Sequence, residues 1–387
     1  MRIAILSDGV HPYVVGGMQR HTFYLVKYLA QRKINVTLYH FNQSNLDINQ
    51  LEIFSDEEKE MIESIVIDFP KGDKFPGHYI RSSYNYSELI FENIQSRLQE
   101  FDFIYTKGFS GWKLIEEKKK NHLNCPPIGV KFHGYEMFQK QANFKSYLAS
   151  LLLKNPVKWI SLNADYVFSY GSKITEIIKQ LGVSNNRIVE IPAGIEVSWL
   201  IQSEITVSET RSFVFLGRYE RRKGVEELNK ALKALIKTNK NFVFHFIGPF
   251  EEQLKVKSDK IIYHGKITDN SKIKEILDQS DFLLSPSWSE GMPNVILEGM
   301  ARACCIICTN VGANSIMVDN SNGRFVEVGN VNDIFEALQW AIDLDMNSVL
   351  KMKQHSLNKV QNKLLYQNII DMFVNSILTI KKNEKNI

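Results

Sequence analysis

The segment Ser285–Glu298, SPSWSEGMPNVILE, sets two carboxylates, Glu290 and Glu298, on either side of a glycine and a proline. A short apolar run, FLLS at Phe282–Ser285, precedes it, so the segment reads as a strand end, a turn and the opening of a helix. Pro293 would take the first helical position, where a missing N–H costs nothing. The start of such a helix offers unpaired N–H groups and the positive end of its dipole, which suits a pyrophosphate. Glu298 would then lie roughly 7.5 Å along the helix axis. One carboxylate can reach one end of a nucleotide-sugar while the other reaches the opposite end. The phosphates would rest between them on the backbone of Gly291, Met292, Pro293, Asn294 and Val295. The plain alternative is a surface turn and a helix with two incidental acids.

Three further clusters carry chemistry. Phe215–Gly224 reads FLGRYERRKG, again after an apolar run. Cations from such a run, aimed at a diphosphate, would stabilise the charge that develops as it leaves. Taken alone, such a run is often only solvated charge. The loop His11–Gln19, HPYVVGGMQ, contains Gly16 and Gly17, whose bare backbone can approach a phosphate or sugar closely. A Gly-Gly pair also simply starts helices, and this one is not the G-x-G-x-x-G dinucleotide fingerprint. Lys131–Glu136, KFHGYE, closes another buried run. His133 stands at a strand's C-terminal end, where doubly wound folds bind ligands, although a lone histidine there is often structural. Glu136 would hold the loop or the acceptor.

The elements that must position these residues follow from hydrophobic period. Apolar, β-branched runs at 2–7, 35–40, 103–106, 128–132, 166–169 and 188–191 alternate with helical segments, the first over 18–33. The pattern restarts after the polar stretch 198–211, with runs at 212–216, 242–247, 261–264, 282–285 and 305–309. This predicts an α/β protein of two Rossmann-like, doubly wound domains. The expected division is an N-terminal domain over 1–197, a C-terminal domain over 198–363, and a final amphipathic helix over 364–387 that packs back on the N-terminal domain, its KKNEKNI end fraying.

In this arrangement the motifs resemble family 4 glycosyltransferases, with the specific matches concentrated in Gly217–Glu298. The resemblance implies the GT-B fold, in which the two domains face across a cleft, with acceptor binding in the N-terminal domain and nucleotide-sugar binding in the C-terminal one. It implies that Glu290 contacts hydroxyls of the donor sugar and Glu298 the ribose. Arg218 and Lys223 would clamp the diphosphate, Gly16 and Gly17 would form the glycine-rich first loop, and His133 would stand beside the transferred sugar. The implied reaction moves a hexosyl-type sugar from a UDP-, GDP- or similar nucleotide-sugar to an acceptor hydroxyl with retention. The leaving diphosphate would take the acceptor's proton, with no metal or other cofactor. Bacterial cell-surface polysaccharide or glycolipid assembly on a glycan or lipid-linked acceptor is the implied setting. The chain departs from the family at TNVGANSI, 309–316, where Gly312 is present but Ala313, Ser315 and Ile316 replace the usual partners, and at PAGIE, 192–196, in Ala193 and Glu196. A nucleotide-sugar epimerase of the same fold and a non-catalytic nucleotide-sugar binding protein are the rivals. The paired-glutamate spacing argues against the first, and Glu290 and Glu298 together with Arg218 and Lys223 argue against the second.

Composition narrows the rest. The chain has 387 residues, 47 Lys and Arg against 43 Asp and Glu, a net charge of +4 that is too slight for a dedicated nucleic-acid binder. Four cysteines cannot staple a chain this long, and Cys305-x-x-Cys308 sits in an apolar run that reads as core. Asp343-Leu-Asp345 matches a metal-binding D-x-D on spacing but follows a helix, which favours a solvated loop. The apolar start is halted by Asp8 and Gly9, and no run approaches the ~18 apolar residues of a spanning helix, so the expectation is a cytoplasmic protein. Between Lys107 and Lys158, ten basic residues meet three acids, with aromatic and leucine side chains interspersed. That mixture suits peripheral contact with an anionic membrane, or else an ordinary solvated helix face.

Overall fold

Short buried runs of β-branched and aromatic residues make strands that must be covered on both faces, and every strand pairing here is parallel. The computed structural model describes residues 1–14, 16–42, 53–70, 72, 75 and 77–384. They divide into two units, the first made of Met1–His133, Ala149–Ile191 and Tyr366–Ile387, the second of Gly134–Leu148 and Pro192–Leu365. The polar stretch 198–211 therefore lies within the second unit.

The first unit holds β1 (Arg2–Leu6), β2 (Asn35–His40), β3 (Ile62–Val66), β4 (Phe103–Lys107), β5 (Ile128–Lys131), β6 (Tyr166–Ser169) and β7 (Ile188–Glu190). Their order in the sheet is β3-β2-β1-β4-β5-β6-β7, with Ile3 opposite both Val36 and Phe103. The second unit holds β8 (Arg211–Leu216), β9 (Phe242–Ile247), β10 (Ile261–Tyr263), β11 (Phe282–Ser285), β12 (Cys305–Thr309) and β13 (Gly323–Val326), ordered β10-β9-β8-β11-β12-β13. In both sheets the chain order reverses beside the first strand, between β1 and β4 and between β8 and β11. Ligands bind at the strand C-termini of such switch points.

Two strands, β3 and β13, are absent from the sequence expectation. Both are sheet edges. β3 carries Glu63 as its second residue, bonded to Arg97 at 2.8 Å, and β13 opens on Gly323, so neither shows the continuous apolar run of a central strand. The first helix spans Gly17–Gln31, shorter at its C-terminus than expected.

The last helix, Tyr366–Glu384, belongs to the first unit. Its buried face, Ile369, Ile370, Phe373, Ile377 and Ile380, joins the core built on Ile3, Tyr105 and Phe168. Phe373 meets Tyr105 edge-on at 5.0 Å between ring centroids and Phe168 at 5.5 Å. Arg32 bonds Asp371 at 2.6 Å, and Lys381 bonds Asp102 at 2.7 Å. The helix continues through Lys381–Glu384, and 385–387 lie outside the described residues. Phe373→Ala removes a ring from a closed aromatic core and should lower stability by about 3–5 kcal/mol. Urea unfolding followed by tryptophan fluorescence checks this, and a loss under 1 kcal/mol would mean that the helix is not an integral part of the first core.

Candidate active site

In the second unit, the loops after β8, β11 and β12 lock together. Gly224 ends the short turn Arg221–Lys223 with φ +69°, and a Cβ there would lie 2.0 Å from the Pro286 carbonyl oxygen. Only glycine satisfies both conditions. The Trp288 N–H donates to the Arg222 carbonyl at 2.8 Å, which ties the β8 loop to the β11 loop. Thr309 Oγ1 at the end of β12 donates to the Ser287 carbonyl at 2.6 Å. Gly312, at φ +55°, packs where a Cβ would fall 2.3 Å from the carbonyl oxygens of Glu290 and Gly291, and the Ala313 N–H donates to the latter. The divergent segment 309–316 thus buttresses the loop that carries Glu290.

Glu290 is only 6% exposed. Its Oε1 accepts from Lys223 Nζ at 2.7 Å and from Ser287 Oγ at 2.8 Å, and its Oε2 lies 3.1 Å from Arg222 Nη1. Gln139 brackets the same residue's backbone, donating to its carbonyl at 2.6 Å and accepting from its N–H at 3.3 Å. Burial pushes the Glu290 carboxyl up, but Lys223 and Arg222 outweigh burial and hold it below the usual carboxylate range. Nearby Glu136 shifts the other way, raised by burial, with Glu290 adding to the rise and Arg222 opposing it. Two cations facing one firmly ionised carboxylate leave positive charge for an anionic ligand.

The sequence-predicted donor residues fall unequally around this centre. Pro293 is the N-cap rather than the first residue of the helix, which spans Asn294–Ala301, with Val295 second and Glu298 fifth and buried. Met292 Sδ accepts from the Ala193 N–H at 3.0 Å. Lys223 is brought onto Glu290. Arg218 is not: its side chain is 75% exposed and pairs with Glu220 at 2.8 Å. Arg222, Ser287 and Gln139 were not singled out in the sequence. The first two lie inside the motifs already read, whereas Gln139 is distant in the chain and carries no signal.

In the first unit, Gly16 is the N-cap and Gly17 the first residue of the helix Gly17–Gln31. His133 follows β5. Its Nδ1 lies 2.7 Å from the Tyr170 hydroxyl, and its Nε2 is buried with no hydrogen-bond partner among the described residues. Around it stand two buried lysines. Lys107 donates to Thr22 Oγ1 at 2.7 Å and the Met18 carbonyl at 3.2 Å, with His21 Nδ1 at 3.0 Å. Lys131 donates to the Ile191 carbonyl at 2.9 Å and sits 3.8 Å from the centroid of the Tyr170 ring. Burial pushes Lys131 down to about 7. Burial, then the repulsion of Lys131, holds Lys107 well below its ordinary range, with Asp8 opposing. Burial, then both lysines, keeps His133 well below its usual value, so the imidazole is neutral at physiological pH. Each lysine closes an apolar strand, FIYTK and IGVK, and a cation in that place is the signal that was available.

These positions also correct the reading of the basic stretch. Lys107 and Lys131 are internal, while Lys113, Lys118 and Lys120 pair with Glu117, Asp165 and Glu116, so the surface charge is smaller than the composition suggests. Cys305 and Cys308 are buried on β12. Asp343 ends a helix and pairs with Lys240, and Asp345 caps the next helix by accepting from the Ser348 N–H at 2.9 Å. Among the described residues no group of three or more His, Cys, Asp or Glu side chains is placed to hold a metal ion.

A buried amine has a stability cost whose pH window is defined. From about pH 7 to about pH 10.5 the unfolded chain holds a proton on Lys131 that the folded chain releases. Stability therefore rises with pH across that window, and the cost is fully present below about 7. Lys131→Met should be more stable than the native chain by about 2 kcal/mol at pH 6.5, with the gain shrinking toward pH 10. Urea unfolding at the two pH values reads the difference, and a gain that does not change with pH would show that Lys131 titrates as it does in the unfolded chain.

Comparison with known proteins identifies the family. The model described as Glycosyltransferase Family 4 matches residues 15–199, and that described as Glycosyl transferases group 1 matches residues 210–343. An uncharacterized glycosyltransferase of Methanocaldococcus jannaschii is 26% identical over 86% of this chain and 87% of its own. The Escherichia coli protein named UDP-Gal:alpha-D-GlcNAc-diphosphoundecaprenol alpha-1,3-galactosyltransferase is 27% identical, and there the match spans 48% of this chain and about half, 52%, of that relative. Among solved structures, sucrose-phosphate synthase from Thermosynechococcus elongatus aligns over 98% of both chains with a TM-score of 0.76 and 18% identity, a likeness of fold. With two Rossmann-like units and both family matches, the chain belongs to the family 4 glycosyltransferases of GT-B fold.

Proposed function

We propose that this glycosyltransferase moves a hexosyl-type sugar from a nucleoside diphosphate donor to an acceptor hydroxyl with retention of configuration, in bacterial surface polysaccharide or glycolipid assembly. The observation that carries the reading is Glu290, buried yet ionised between Lys223 and Arg222, on the loop between β11 and the helix Asn294–Ala301. In this reading Lys223 and Arg222 hold the diphosphate together with the N–H groups that open that helix. Arg218 is the outlying cation of the same loop, and Glu298 is the partner of the ribose. Glu290 binds the sugar hydroxyls, and His133 is proposed as a further sugar-binding residue. The bond from the anomeric carbon to the diphosphate oxygen breaks as the acceptor oxygen bonds to that carbon. The acceptor's proton passes to the leaving phosphate oxygen. The two cations stabilise the charge on the departing diphosphate, so the scheme needs no metal ion.

A UDP-sugar donor and a lipid-linked acceptor are supported by the name of the Escherichia coli relative. No helix among the described residues is long and apolar enough to cross a membrane. The helix Phe144–Asn163 exposes Phe144, Tyr147, Leu148, Leu151 and Leu152, and carries Lys145, Lys154 and Lys158 with no acidic residue. Peripheral, cytoplasmic contact with an anionic membrane through this helix fits that composition.

A thermal-shift screen of UDP, GDP, ADP and their common sugars tests the donor site, because a ligand that binds only the folded state raises Tm by mass action. One nucleotide family should stabilise the protein by several degrees, and Lys223→Ala and Glu298→Ala should each abolish the shift. No shift with any nucleotide at millimolar concentration would overturn the reading.

A further inference from the structure

His133 has one nitrogen paired and one buried without a partner, and the residue that pairs with it is Tyr170, which follows β6. We propose that Tyr170 is a positioning residue, whose hydroxyl donates to His133 Nδ1 and so holds the imidazole as the tautomer that carries its hydrogen on Nε2. The consequence for catalysis rests on the transferase reading above.

The direction of this hydrogen bond follows from the two partners and their surroundings. An unprotonated imidazole nitrogen is a good acceptor, while a phenol is a good donor and a poor acceptor. The Lys131 amine lies 3.8 Å from the Tyr170 ring centroid, and when charged it draws on the π density and makes the hydroxyl a stronger donor still. Lys131 itself is held in place by the Ile191 carbonyl at 2.9 Å. With Nδ1 occupied as an acceptor, the ring hydrogen must reside on Nε2.

Burial and the two lysines oppose a second proton on His133, and four groups face it among the described residues. They are Lys107 at the end of β4, Lys131 at the end of β5, His21 edge-on from the helix Gly17–Gln31 with ring centroids 5.1 Å apart, and Tyr170 itself. A carboxylate of the cluster, Asp8 after β1, acts on Lys107. A neutral imidazole with a fixed N–H can bind a sugar hydroxyl without setting a full positive charge beside a transition state that is itself cationic at the sugar. A buried donor with no acceptor is costly and rare in folded proteins, and a hydroxyl of bound sugar would satisfy it. The pairing of Tyr170 with His133 therefore decides what the imidazole presents, although Tyr170 need not touch substrate.

Two readouts on the full chain separate this role from simple packing. In nitrogen-15 NMR of the histidine rings, with His133 assigned by its loss in His133→Ala, the native protein should show the Nε2–H tautomer at pH 7.5. Tyr170→Phe, which keeps the ring, should shift His133 toward the other tautomer or a mixture while Tm changes little. This measurement needs neither donor nor acceptor, so it holds or fails independently of whether the transferase reading is right. In transfer assays Tyr170→Phe should lower kcat about tenfold, the scale of one lost hydrogen bond. In the His133→Ala background it should change kcat less than about twofold, because a residue acting through His133 has nothing left to position. An unchanged His133 tautomer in Tyr170→Phe, or a full additional loss in the double variant, would overturn the proposal.

Discussion

A carboxylate removed from water must be neutralised where it lies, and in the second unit this constraint organises everything around Glu290. The side chain sits in the interior, and leaving it unpaired would cost several kcal/mol. Lys223 and Arg222 supply the charge, and Ser287 completes the acceptor sites. To bring the two cations there, the β8 loop must turn tightly against Pro286, which demands glycine at 224. To hold the carboxylate still, the loop after β11 is braced by Thr309 and by the backbone approach of Gly312. Three loops from neighbouring strands therefore converge on one charge, beside the point where the strand order reverses. The same arrangement suits a donor whose leaving group is a diphosphate, because the cations that balance the carboxylate are already held in place.

The first unit solves a different problem with the same materials. Lys107 and Lys131 are buried near His133 with backbone carbonyls, a hydroxyl and an aromatic face as partners, and among the described residues no carboxylate is directly bonded to either. Well-packed apolar side chains of similar volume would make a more stable core. Burial, with the two lysines adding to it, gives a surrounding that disfavours a second proton on the histidine, which stays neutral. The two units thus place different electrostatic demands on their interiors, a carboxylate bonded to cations in one and amines bonded to neutral groups in the other. Both occur at the C-terminal ends of parallel strands.

The central strands were legible to the residue at β2, β6, β9, β11 and β12, because a strand buried on both faces has to be a continuous apolar run. The edges β3 and β13 were not, since an edge strand can afford a glutamate or a glycine that breaks the run. Within the candidate site, residues that share a loop were visible as motifs. Gln139 was not, because nothing local marks a side chain that reaches a loop so distant in sequence. Charge counting misled in one place: Lys107 and Lys131 read as surface basicity and are core. Residue type alone cannot tell a buried lysine from a solvated one, but its position as the last residue of an apolar strand can. The same limit applies to the FLGRYERRKG motif, where position in the loop puts Arg222 on Glu290 and leaves Arg218 in solvent.

The measurement that tests the central claim most directly is consumption of a radiolabelled nucleotide-sugar by the purified chain, with and without an undecaprenyl-diphosphate-linked glycan acceptor and without added metal. Label should pass to the acceptor only when acceptor is present, with the donor's anomeric configuration kept in the product. Glu290→Gln should reduce the rate by about a hundredfold or more. Conversion of free donor to an epimer without acceptor, or donor binding with no transfer to any acceptor, would contradict the account.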